Sequence, residues 1–110
     1  IASPSIPTDG LEIMADVMGV QVAATTIAGQ DVVGSLGVTN DQGVLLHPDV
    51  TPDEVVLIES VLGVPPMVGT VAFGSPYVGA GVCANNNGAV AGTETTGPEL
   101  NRLEDALGLI

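Results

Sequence analysis

Cys83, His47 and Asp49 are the residues of this chain from which a reaction centre could be assembled. A thiol would attack, an imidazole would take its proton and a carboxylate would orient the ring. Their surroundings point to a quieter role. Cys83 lies in the apolar run Val82-Cys83-Ala84, which predicts a buried, inert thiol. As the only cysteine it can form no internal disulfide, and it suits a reducing compartment. Neighbouring carboxylates such as Asp53-Glu54 and Glu104-Asp105 diverge on a helix, so no metal site is expected. The glycines between Gly74 and Gly81 fall between and within expected strands and open no helix, so neither a phosphate loop nor a cofactor is expected. Arg102, the one cation besides the terminus, is expected to pair with Glu99 or Asp105 at helical spacing.

The elements that position these residues repeat. Setting Gly19-Val20 over Gly63-Val64 brings Asp9 over Asp53, Ile13 over Leu57, Val17 over Val61 and Met18 over Leu62. After one inserted residue the register resumes, with Val33-Gly34 over Val78-Gly79, Asn40 over Asn85, Gly43 over Gly88 and Glu54 over Glu99. In this register Cys83 replaces Val38 and His47 stands where the next copy has Gly92, so both read as substitutions within a scaffold. A repeat of this length is one supersecondary unit used more than once. Residues 1–19 are expected to be the end of a preceding repeat with its helix, 20–63 a unit, and 64–110 a final unit with a C-terminal helix, all within one domain. The chain starts inside a repeat without an initiator Met and reads as the C-terminal part of a longer protein.

Each unit combines a helix with short strands. Thr51-Pro52-Asp53-Glu54 is a capping box with Pro at the first helical position, Val55, Ile58, Val61 and Leu62 form one apolar face, and Gly63 stops the helix. Thr96-Gly97-Pro98-Glu99 repeats the box ahead of Leu100, Leu103, Leu107 and Gly108. Asp9 and Glu12 suggest a looser box for the first copy. Strands are expected over 20–27, 32–39, 44–46, 67–72, 77–84 and 89–91, with Asp41-Gln42-Gly43 and Asn86-Asn87-Gly88 as hairpin turns.

Composition narrows the partners. The 110 residues are 45% apolar with one Phe, one Tyr and no Trp, so the core must be aliphatic. Thirteen acidic residues against Arg102 give a net charge of −12, which suits a halophile's salt-screened cytoplasm. That charge excludes broad phosphate binding, so contact with any nucleoprotein partner should run through its protein. Apolar runs broken by Gly or Pro argue against a membrane span, and no signal peptide is visible.

The segments Gly69-Thr70-Val71, Gly74-Ser75-Pro76-Tyr77-Val78-Gly79, Thr95-Thr96-Gly97-Pro98-Glu99-Leu100 and Glu104-Asp105-Ala106-Leu107-Gly108 resemble the C-terminal end of the archaeal translation initiation factor 6 family. Thr26-Ile27-Ala28-Gly29, Val33-Gly34-Ser35 and Leu46-His47-Pro48-Asp49 resemble its preceding repeat. The resemblance implies an α/β pentein fold, a pseudo-fivefold ring of which this chain holds about two of five units, with helices outside and strands inside. It also implies binding to the large ribosomal subunit near protein uL14 and the sarcin-ricin region, blocking premature association with the small subunit. Where the family usually carries Asn-Arg after Gly-Thr-Val, this chain has Ala72-Phe73, which removes any contact made there by a cation. The expected ribosome-facing residues are Gly34, Ser35 and Leu36 with Ser75, Pro76, Tyr77 and Gly81, Tyr77 being the aromatic anchor. The pentein fold also hosts guanidine-modifying enzymes, so the alternative is an enzyme fragment using Cys83 and His47.

Overall fold

A computed structural model describes residues 1–109. Three longer helices are separated by short strands and single helical turns. In chain order these are α1 (Thr8–Met18), α2 (Val33–Leu36), β1 (Gly37–Thr39), β2 (Val44–Leu46), α3 (Pro52–Leu62), β3 (Pro66–Val68), α4 (Val78–Gly81), β4 (Val82–Ala84), β5 (Ala89–Ala91) and α5 (Gly97–Ala106). From α2 onward the α–β–β–α order occurs twice, and each start moves by 45 residues: 33 to 78, 37 to 82, 44 to 89 and 52 to 97.

β2 is the wall between two cores. It pairs antiparallel with β1 and parallel with β3, while β4 and β5 form a separate antiparallel hairpin. Because strand side chains alternate, Val44 and Leu46 enter one apolar cluster with Ile27, Leu36 and Ile58, and Leu45 enters the other with Val71, Val78, Leu103 and Leu107. All three β2 residues are buried, so the strand is apolar on both faces.

The two later helices start as the sequence predicts. Thr51 and Thr96 cap α3 and α5, each completing a reciprocal capping box with the glutamate three residues on. α1 differs. Its first residue follows Pro7, which offers no side-chain cap, and Asp9 accepts only from the adjacent Gly10 N–H, so the expected box with Glu12 does not form. The glutamate that anchors α3 has Gly10 as its counterpart in the alignment, and α1 has no buried residue.

Several expected strands are shorter than their apolar runs. Residues 32–39 and 77–84 each begin with a helical turn before three residues of strand. The reason is tertiary: the turns α2 and α4 pack glycine against backbone, and a Cβ on Gly79 would lie 2.2 Å from the Gly34 carbonyl oxygen. Within 20–27 only Ala24 and Ile27 make bridges, and in 67–72 the strand ends at Val68.

The hairpin turns also join the units. Asn40 Oδ1 accepts from the Gln42 and Gly43 amides at 2.9 and 3.1 Å, and Asn85 Oδ1 does the same for Asn87 and Gly88 at 2.8 and 3.1 Å. The Asn40 amide group then donates to the Leu107 and Asn85 carbonyls, and Asn86 exchanges two bonds with Asp41. Gly43 is required here, since a Cβ would sit 1.8 Å from the Ala106 carbonyl oxygen.

The strongest local device is the buried capping glutamate. Beyond its own helix, Glu54 accepts from the Thr26 hydroxyl and from the Ala28 and Gly29 amides at 2.7 and 3.1 Å. Glu99 accepts from the Thr70 hydroxyl at 2.6 Å and from the Phe73 and Gly74 amides at 3.0 and 2.9 Å. Burial pushes both pKa values up, but the threonine hydroxyl and backbone amides outweigh it and hold each at about 2. A carboxylate whose folded pKa is depressed adds stability above its unfolded pKa and loses it as pH falls through the folded value. Stability should therefore decline between about pH 4.5 and pH 2 as these groups protonate. Glu99→Gln should cost about 2–3 kcal/mol at neutral pH, because an amide cannot accept from all these donors. It should also flatten that acid limb. Chemical denaturation across pH checks both, and an unchanged acid limb would refute the assignment.

Candidate functional site

The two groups of residues singled out in the sequence meet where α2 packs on α4. Gly79 approaches the Gly34 and Gly37 carbonyls so closely that a Cβ would lie 2.2 and 2.5 Å from their oxygens. This brings Gly34 and Ser35 of one unit beside the start of α4 in the next. Ser35 Oγ donates to the Val32 carbonyl at 3.0 Å. Ser75 Oγ accepts from the Tyr77 amide at 3.3 Å, which fixes the residue that precedes α4.

Tyr77 is 46% exposed. Its ring meets His47 edge-to-face, with centroids 6.4 Å apart and an interplanar angle of 79°. His47 is buried, its amide donates to the Leu36 carbonyl at 2.9 Å, and its Nδ1 accepts from the Asp49 amide at 2.9 Å. The imidazole is thus a bracket between the units, holding Tyr77 from behind. Sequence reasoning gave His47 only to the enzyme alternative and missed this role; the residue's place just after β2 was the available signal.

One expected surface residue belongs elsewhere. Leu36 is fully buried in the first core cluster, because the helical turn that replaces the expected strand rotates it inward. Gly81 stays half-buried, and a Cβ there would lie 2.6 Å from Val71 Cγ2. Gly34, Ser35, Ser75, Pro76, Tyr77 and Gly81 are at least partly accessible.

The expectation of a buried Cys83 is overturned: the thiol is exposed. The period of two in β4 explains the error. Val82 and Ala84 turn toward the second core cluster, which leaves Cys83 on the outer face opposite Val90, itself 74% exposed. Cys83 lies in a shallow concavity lined by Ala84, Asn85 and residues 87–90, without His47 or Asp49. No catalytic set is assembled from these three. Among the described residues there is also no cluster of three or more His, Cys, Asp or Glu able to hold a metal. Arg102 does not pair with Glu99 or Asp105 as expected; its Nε donates to the Val68 carbonyl at 2.7 Å, and Glu99 is already committed to the turn before α4.

The eIF-6 family model matches residues 1–106. The chain belongs to the eIF-6 family. It is 44% identical over 110 residues to translation initiation factor 6 of Methanosarcina mazei, covering all of this chain and 50% of that protein. The corresponding factor of Pyrococcus abyssi is 41% identical over 110 residues, with 100% and 48% covered. That of Haloquadratum walsbyi is 40% identical over 107 residues, with 97% and 47% covered. The chain therefore spans about half the length of the curated relatives it matches.

The exposed thiol has a simple consequence. Cys83 should be alkylated under native conditions without loss of secondary structure, and mass spectrometry of iodoacetamide-treated protein checks this. Labelling only after denaturation would place the thiol back in the interior.

Proposed function

We propose that this chain is part of a factor that binds the large ribosomal subunit and, by bulk alone, prevents premature association with the small subunit. The observation that carries this reading is membership of the eIF-6 family across residues 1–106, with relatives named translation initiation factor 6. In this reading the two α–β–β–α units are consecutive members of a pentein ring, and the face built around Tyr77 meets protein uL14 close to the sarcin-ricin region. Tyr77, with Gly34, Ser35, Ser75 and Pro76 around it, supplies the contact. An aromatic side chain backed by a buried imidazole loses little freedom on binding, which favours it as an anchor.

The charge supports the same partner. With a net charge of −12, the chain repels rRNA phosphates and is drawn to the basic side chains of ribosomal proteins. It also fits a salt-rich archaeal cytoplasm. Among the described residues no helix is long and apolar enough to cross a membrane.

Tyr77→Ala in the full-length factor should weaken binding to large subunits by about 1–2 kcal/mol or more while leaving the fold intact. Glu59→Gln, on the exposed side of α3, should have little effect. Cosedimentation at high salt separates the two, and a Tyr77→Ala protein that binds like the parent would remove this face from the interface. For salt adaptation, the melting temperature should fall as salt is lowered, because the screening length grows from about 3 Å at 1 M to about 10 Å at 0.1 M. A melting temperature that is flat or rises toward low salt would count against a halophilic setting.

A further inference from the structure

We propose that Phe73 is an apolar anchor received by a pocket on a basic protein of the large ribosomal subunit, an inference that rests on the ribosome-binding reading above. Its ring is 81% exposed and takes almost no part in either core cluster. Its backbone lies in the left-handed region at φ 60°, next to Ala72 at φ 48° and Gly74 at φ 101°. A bulky residue at positive φ is a conformational outlier, and such outliers concentrate at binding and switch sites.

The fold itself does not ask for the ring. Phe73 gives its amide to Glu99 at 3.0 Å, and Ala28 gives its amide to Glu54 at 2.7 Å, also in the left-handed region at φ 54°. The same backbone task is done in one unit by a methyl group and in the other by an aromatic side chain. What the fold needs there is a left-handed donor; the benzyl group is additional. It is also presented on a rigid support. Val71 and Ser75 exchange two backbone bonds at 2.9 and 2.7 Å, and the Ala72 amide donates to Thr95 Oγ1 at 3.1 Å. A ring held out on so constrained a turn loses little entropy when it is bound.

The partner's chemistry follows from charge. A pocket that takes the ring and is rimmed by Lys or Arg complements both the exposed ring and the net charge of −12. Stacking of an RNA base on the ring would bring phosphates against that charge.

The test uses the full-length factor and purified large subunits. Phe73→Ala and Phe73→Gly should each weaken cosedimentation about tenfold or more. Phe73→Gly should at the same time raise the melting temperature, because glycine adopts this backbone conformation without a Cβ penalty. A photoreactive phenylalanine analogue at position 73 should crosslink to a ribosomal protein. Parent-like binding by both variants would overturn the proposal. So would a lowered melting temperature in both, which would mean that the ring is packed within the full-length factor, or a crosslink to rRNA. A parent factor that fails to cosediment would refute the ribosome-binding reading itself and this anchor with it, whereas a loss of binding confined to the Phe73 variants supports the anchor.

Discussion

The structure depends on one arrangement used twice: a buried glutamate carboxylate at the start of a helix that also grips a left-handed turn from an earlier segment. Burying a carboxylate is costly unless its lone pairs are filled. Here the helix N-terminus supplies a favourable field, the capping threonine amide one bond, and the distant turn the remainder. The same atoms therefore perform three tasks. They start the helix, fasten the segment that carries Thr26 or Thr70, and hold residues such as Ala28 and Phe73 at backbone angles they would otherwise avoid.

From these anchors the two units are placed against each other through Leu45, packed among Val71, Val78, Leu103 and Leu107, and through close approaches of backbone. Gly79 lies on the backbone of α2, Gly43 lies under the end of α5, and Asn40 reaches across to Leu107. Contacts between backbones tolerate very little displacement, since even a methyl group would overlap a carbonyl. The seam is correspondingly rigid, and Tyr77 stands on it with His47 behind. Under the proposed function, a protein that acts by occupying space needs that property more than it needs reactive groups. It must present a fixed shape, and its few aromatic side chains are fixed where a partner can reach them.

Much of this was legible from the amino-acid sequence, and the reason is that those features are local. Capping boxes at Thr51–Glu54 and Thr96–Glu99, the left-handed glycines Gly19 and Gly63, the hairpin turns at Asn40 and Asn85 and the 45-residue displacement of equivalent elements all rest on short-range backbone requirements. Membership of the eIF-6 family followed from the order of such motifs along nearly the whole chain. What tertiary structure decided was direction and reach. Apolar composition alone cannot tell a strand from a helical turn, so α2 and α4 were hidden and Leu36 went to the core. The same limit sent Cys83 outward and Arg102 to a backbone carbonyl. Glu54 and Glu99 were readable as helix caps, but their grip on turns more than twenty residues away existed only once the chain had folded, because a sequence records which groups can accept a hydrogen bond and only the assembled fold determines which donors arrive.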